Sequence, residues 1–434
     1  MSLDVPPFAR LGLWVFLVAT AAPVSAQRKG PERQTLPREL VAEWEKAGAT
    51  FGWIRGVWES FRGTSDGLPG ETPAFRFTRW QPRVLSKLPE PDRPFALYLG
   101  QTEINDAGLE ELTAFKRLRV LDLSGSKVKS DGMKHLLVHK DLVDLDLTGT
   151  DVEDQGMRQI RQLKGLRRLH IGNLRDGGIK TLADLSELRD LSLAFCEATP
   201  TGLKTVAALR FLERLDLGGA ELTDDGATAL RGLDRLEFLN LNGAMLSDDG
   251  LKALAGLTQL KELHLGGNKD LTDSGLEALA GLHKLVHLDL LDTRLSGAGL
   301  KELAALKSLE ELQLRDGVTD EGLKGVGQLT RLTRLDLAGR RITDAGLKEL
   351  RGLGRLHQLS LHDTGITAAG LQELAPFKQL AGLNLTGVLL SDAALKRLPT
   401  DLPKLSFLDI RGCKASDAAV AELRKAAPRL YVVR

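Results

Sequence analysis

The chain is predicted to be an α/β solenoid, a horseshoe with parallel strands on its concave face and short helices on its convex face. Three observations predict this. A leucine pattern, LxxLxL, returns thirteen times between Leu118 and Leu405. The steps between successive copies are 24, 24, 22, 24, 24, 24, 25, 24, 23, 24, 24 and 25 residues. Within each copy the apolar spacing changes from two residues to three. A fixed period of this length marks units that each pack only on their neighbours.

The elements of one unit follow from Leu332 to Arg355, LTRLDLAGRRITDAGLKELRGLGR. Leu335 and Leu337 alternate with Arg334 and Asp336, the period of a short half-buried strand. Thr343 and Asp344 follow Ile342, with side chains suited to accept from the orphan amides of a helix start. Leu347, Leu350 and Leu353 then make one inward face for a helix of about two turns. Gly352 and Gly354 release the chain into the next strand. One such unit buries too little apolar surface to order its backbone alone, so stacking is obligatory. Weaker copies flank the array, at Pro94-Leu97-Leu99 and at Leu430 and Val433.

These residues resemble the leucine-rich-repeat family, over about residues 94–434. The slot three residues past the last strand leucine holds Ser126, Thr150, Cys196, Asn268, Thr293, Thr364 and Cys413, with Ala220 and Ala244. With the ITDxGL stretch at Ile342–Leu347, and its relative at Leu271–Leu276, this is similar to the cysteine-containing subclass and to GALA-type repeats of exported bacterial proteins. The resemblance implies the solenoid fold and protein–protein recognition. It does not carry a ubiquitin-ligase adaptor role, because the residues before the repeats show no F-box-like segment.

The two cysteines occupy one slot nine repeats apart, roughly 40 Å at ~4.8 Å per strand, so they are expected to be free thiols rather than a disulfide. Residues 1–26 read as a secretory signal peptide: Arg10 precedes the apolar run Leu11–Ala22, and Val24-Ser25-Ala26 offers a cleavage site. The run is too short to span a bilayer, so the mature chain is expected to be exported, periplasmic or secreted, without membrane insertion. Residues 27–93 differ in composition, holding Trp44, Trp53, Trp58 and Trp80 of the five tryptophans. Leu40, Val41 and Trp44 fit one helix face after Pro37, and Phe75 and Phe77 alternate as in a strand. We expect this region to cap the open edge of the first repeat, with an independent binding module as the alternative. At the other end a last helix is expected from Asp417 to Ala427.

The strand alternation also assigns the inner wall. One ladder, between the last two strand leucines, runs Asp122, Asp146, His170, Ser192, Asp216, Asn240, His264, Asp289, Gln313, Asp336, Ser360, Asn384 and Asp409. A second, two positions earlier, runs Val120, Asp144, Arg168, Asp190, Arg214, Phe238, Glu262, His287, Glu311, Arg334, Gln358, Gly382 and Phe407. The second alternates in sign, which predicts weak, field-cancelling pairs between adjacent strands. With 59 basic and 58 acidic residues and no basic stripe, the composition argues against nucleic acid as a partner.

Two clusters on the wall have the residue types of a chemical site. Asp122, Asp146 and His170, with Asp144 beside them, have metal-ligand chemistry, but the strand spacing is wide for shared coordination. His264 and His287 with Asp289 include an imidazole that a carboxylate can orient as a base, but no serine or cysteine nucleophile stands nearby. No cofactor or metal is therefore expected, and no catalysis. The expected contacts for a ligand on the wall are Asp122, Asp146, Arg168, His170, Arg214, Phe238, His264, His287, Asp289 and Arg334, with the arginines solvated. His135, His139 and His283 fall on helical or turn positions and are expected at the surface. The short repeats near Asn173-Leu174-Arg175 and Asp316-Gly317 are expected to alter a loop or bend the solenoid locally. The reading that follows is an exported, non-catalytic interaction protein that binds a protein partner on its concave face. A structural or cell-surface component that binds glycan or itself is the alternative.

Overall fold

The computed structural model describes residues 34–55, 61–315 and 317–434. The signal-peptide expectation and Trp58 lie outside the described residues. Among the described residues, seventeen strands form one open sheet. Each strand pairs with the one before it and the one after it in sequence, and all pairings but the first are parallel. A helix of four to ten residues, α or 3₁₀, follows each strand of the repeats. Strands approach to ~4.8 Å while helices need 8–10 Å, so the helix side is the longer, convex one.

The register is the one the leucine spacing predicts. Leu121, Leu145, Leu169, Leu191, Leu215, Leu239 and Leu263 stand side by side, and all are fully buried. Leu347 in the helix Asp344–Glu349, Leu350 at its C-cap and Leu353 just beyond close the same core from the other side, and one continuous core runs from Leu36 to Val432. No helix among the described residues is long and apolar enough to cross a membrane.

The Thr343-Asp344 pair at its helix start divides its work between two repeats. Thr343 caps its own helix, accepting from Ala345 N at 3.3 Å. Asp344, expected to serve the same helix, instead reaches the following repeat, accepting from Thr367 N at 2.7 Å and Thr367 Oγ at 2.6 Å. Asp248 does the same to Thr272, Asp224 to Ser247, Asp320 to Thr343 and Asp392 to Ser416. The glycine of the same motif follows from this clasp: a Cβ on Gly275 would stand 2.6 Å from the Asp248 carboxylate. The slot after the strand also faces inward. Thr150, Thr293 and Thr364 donate there to the carbonyl three residues back, and Asn268 donates to both Leu241 O and Leu265 O. Cys196 is buried and free, and burial pushes its thiol up to about 11.

At the N-terminal end α1 (Arg38–Lys46) packs on a hairpin of β1 (Ala49–Arg55) and β2 (Glu71–Phe77). β2 then pairs in parallel with β3 (Phe95–Tyr98), so the sheet continues without a break into the repeats. Trp44 stacks on Phe75 at 4.1 Å and meets Phe95 and Phe115 at 5.9 and 5.4 Å, joining this region to the helix side of the first repeat. The indole N–H of Trp44 is satisfied by Pro89 O at 2.9 Å. The last helix runs Asp417–Ala426, as expected.

His139 corrects an expectation. It is fully buried rather than at the surface, because it stands in the column that Phe115, Leu163, Leu185 and Leu209 fill in neighbouring repeats. Burial drives its pKa down to about 4, with the backbone of Phe115 opposing, so the ring is neutral in the folded chain. His283 is exposed and His135 half-buried.

Candidate functional site

The two ladders face the concave side in the expected order, with Val120, Asp144, Arg168, Asp190, Arg214, Phe238, Glu262, His287, Glu311 and Arg334 in one row. Their duties differ from those expected. In the other row the Asp and Asn side chains, Asp336 excepted, hold the turn that leaves the strand, each accepting from the amide two residues on. Asp122 does so from Ser124, Asp146 from Thr148, Asp216 from Gly218, Asn240 from Asn242, Asp289 from Leu291, Asn384 from Thr386 and Asp409 from Arg411, at 2.9–3.1 Å. This is the local Asx bond that makes these residue types favour turns. The acidic lean of that ladder is therefore in large part a property of the backbone it stabilises.

The N-terminal third of the wall is a closed charge cluster. Arg168 lies between three carboxylates: Asp144 at 3.1 Å through both oxygens, Asp146 at 3.5 Å and Asp190 at 3.7 Å. His170 sits beside it, 3.2 Å from Asp190 and 3.7 Å from Asp146. The side chain of Arg168 is 14% exposed and that of Asp144 1%, so the expectation of a solvated arginine is corrected. Inward curvature and flanking side chains remove it from water. Burial pushes Asp144 up to about 7, against the pull of Arg168. Tyr98, one strand before Asp122, is pushed up to about 12 by burial and by Asp144 and Asp122. Among the described residues, no three His, Cys, Asp or Glu side chains converge where they could hold a metal ion.

The middle of the wall is different. The Arg214 guanidinium lies 3.9 Å over the Phe238 ring. Phe238 meets His264 at 5.4 Å, and His264 meets His287 at 4.7 Å with planes 37° apart. His287 is held by Glu311 at 3.1 Å, which lowers the Glu311 pKa. Arg334 also approaches Glu311, at 3.6 Å, and donates to Gln358 at 2.7 Å. These six residues form a strip of a cation, three rings, a carboxylate and a second cation across six strands, half-buried throughout. Asp289 does not orient His264 as a base would require: the separation is 3.8 Å, and Asp289 bonds its own turn. Of the expected contacts, the structure groups Arg214, Phe238, His264, His287 and Arg334 in this strip and Asp146, Arg168 and His170 in the closed cluster. Asp122 bonds Ser124 beside that cluster, and Asp289 holds its own turn 3.8 Å from His264.

One feature of the adjoining rim escaped sequence reasoning. Among the described residues, the turns after the repeat strands take a left-handed residue, supplied by glycine at 125, 149, 219, 243, 267, 339, 387 and 412, by Asn173, by Asp292 and Asp363, and by Gln101. Phe195 fills the same position at φ 61° and is 77% exposed. The signal was available as a lone phenylalanine in a glycine column.

A family model described as leucine-rich repeat matches residues 208–230 and 256–280. Among solved structures, an internalin from Listeria monocytogenes is similar at 23% identity and TM-score 0.58, over 75% of this chain and 88% of that one. A leucine-rich-repeat protein of Leptospira interrogans is similar at 21% identity and TM-score 0.53, over 81% of this chain and 91% of that one. No curated protein matches the chain. The chain thus carries leucine-rich repeats and has their solenoid fold, an architecture that typically serves as a scaffold for protein interaction.

Proposed function

We propose that the chain is an exported, non-catalytic interaction protein of the GALA-like type that takes a protein partner on its concave face. The observation that carries this reading is the strip Arg214–Phe238–His264–His287. It is accessible, it combines rings with a cation, and, unlike the acidic ladder, its side chains do not tie down their own turns. Aromatic and arginine side chains concentrate binding energy at interfaces because they desolvate large surfaces at small entropic cost. His264 and His287 meet ring to ring, with no nucleophile beside them in the wall, which favours contact over chemistry. Residues 27–93 are read as the cap of the first repeat, whose core the described ones share, and residues 1–26 as the leader that directs export. The near-equality of 59 basic and 58 acidic residues disfavours a polyanion as partner.

The test begins with capture of partners from extracytoplasmic extract by the mature chain, residues 27–434, identified by mass spectrometry. The purified partner is then titrated against wild type and an Arg214→Glu, Arg334→Glu double variant. A loss of roughly tenfold or more in affinity, about 1.4 kcal/mol, with unchanged melting temperature is expected. Equal affinity removes the strip from the interface. Saturable binding of a glycan in place of a protein, or self-association as the only binding seen, would replace this reading with the structural one.

A further inference from the structure

We infer that the solenoid is jointed near its C-terminal end. The repeats from the strand Gly382–Asn384 onward turn as one block against those that end with the strand Gln358–Ser360. The joint lies just beyond Arg334 and its partner Gln358, so its angle sets the shape of the concave wall where the candidate strip ends. It holds whatever partner the strip takes.

The joint begins with a gap in the clasp. At most helix starts an aspartate reaches the backbone of the next repeat, as Asp344 does at Thr367 and Asp392 at Ser416. At three junctions its place is filled by a residue whose side chain cannot accept: Pro200, Gly297 and Ala368, facing Thr223, Thr319 and Ser391.

The first two gaps are made good by other contacts. Across the first, Arg189 pairs with Glu213 at 3.0 Å and Ser192 donates to Asp216 at 3.3 Å. The helices Pro200–Ala207 and Thr223–Ala229 also pack there. Across the second the backbones close up, since a Cβ on Gly322 would stand 2.7 Å from Gly297 Cα, and His287 holds Glu311 at 3.1 Å.

Nothing comparable bridges the third. The helices Gly370–Leu374 and Asp392–Lys396 scarcely pack. In the wall, Gly382 leaves no side chain between Gln358 and Phe407, and a Cβ there would meet only Gln358 Cγ, at 3.6 Å. The wall keeps one side-chain bond, from Asn384 Nδ2 to Ser360 Oγ at 3.3 Å.

The contacts that remain place the axis. The two strands stay paired, with Leu359 beside Leu383. In the loops that lead into the strands, Lys378 donates to Asp401 O at 2.9 Å and Lys404 reaches Gln379. Bonds along that edge, and no clasp between Thr367 and Ser391, leave an opening at the helix starts that pivots on the strands. Beyond the joint Asp392 clasps Ser416, and Phe407 stacks on Tyr431 at 6.1 Å, which holds the block together. Where stability is a sum of terms between neighbouring repeats, the junction with the fewest terms opens first.

Native-state hydrogen exchange on the full chain, read by mass spectrometry of peptides, tests the joint. In wild type, Gly382–Asn384 and Phe407–Asp409 should open together, at least roughly tenfold more often than Gln358–Ser360. A smooth loss of protection from strand to strand toward the C-terminus is simple fraying and would overturn the inference. Ala368→Asp supplies the missing acceptor below Ser391. Asp392 clasps Ser416 although alanine, Ala419, stands three residues beyond it, so Ala394, three beyond Ser391, is no bar. In that variant the opening of the block should become roughly tenfold rarer and the step should disappear. A step that persists in a folded variant would show that the missing clasp is not the cause, and would overturn the inference. Asp392→Ala cuts the clasp inside the block, so Phe407–Asp409 should then open more often than Gly382–Asn384. If the two still open together, the division of the solenoid does not follow the clasps and the inference fails.

Discussion

His139→Leu should stabilise the protein, and more so in acid than at neutral pH. His139 occupies a column of buried phenylalanine and leucine side chains and is itself fully buried. Its pKa falls from 6.5 to about 4 on folding. Because the folded value is depressed, the unfolded chain takes up the proton first. The histidine's contribution is therefore intact above pH 6.5 and is lost progressively as pH falls toward 4. A shift of that size amounts to about 3.4 kcal/mol below both values, at 1.36 kcal/mol per unit. At pH 5 about 2 kcal/mol has already gone, and at pH 7.5 under about 0.1 kcal/mol. Asp144 works the other way. Its folded value lies above 3.8, at about 7, so acid favours the fold through that group. Comparing variant with wild type at each pH cancels Asp144 and every other shared group. Urea unfolding of both proteins at pH 7.5 and pH 5.0 gives the two differences. The gain from His139→Leu should be larger at pH 5.0 by about 2 kcal/mol. A gain that is the same at both values would show that the imidazole is hydrated in the folded state, and the column assignment would be wrong.

The remaining predictions concern the clasp and the charge cluster. Asp248→Ala removes the acceptor for Thr272 N and Oγ and should cost about 1–3 kcal/mol, read by thermal unfolding. Gly275→Ala should be more damaging in wild type than in the Asp248→Ala background, because the added Cβ meets the Asp248 carboxylate. Additive effects in that double-mutant cycle would reject the clasp as the reason for the glycine. Arg168→Met leaves Asp144 buried beside Asp146 and Asp190 without their cation, and about 3–5 kcal/mol of stability should be lost. A protein of unchanged stability would show that Asp144 is protonated in the fold.

The strand ladders were legible because the side-chain period in a strand is two, so the leucines alone fix which residues face the wall. Helix starts were legible for the same local reason, since Thr and Asp before Gly-Leu compete for orphan amides. What Asp344 does was not, because its partner Thr367 is 23 residues away and is brought close only by stacking. His139 was within reach of sequence reading. Phe115 and Leu163 stand 24 residues to either side of it, and only its polar type suggested the surface. The candidate strip was half legible: the strand positions of His264 and His287 follow from the register, but their ring contact and the approach of Arg214 to Phe238 depend on rotamers that the register does not set.

Sequence by itself determined the architecture, since an apolar period of about 24 residues admits one way of covering every leucine edge. It determined also which side chains face the concave side. Only the tertiary structure decided what those side chains are free to do: that Arg168 is enclosed by carboxylates, that the Asp and Asn ladder ties down its own turns, and that Phe195 stands strained in solvent. The reason is that facing is a property of one strand, whereas burial, pairing and strain are set by the neighbouring repeats on either side.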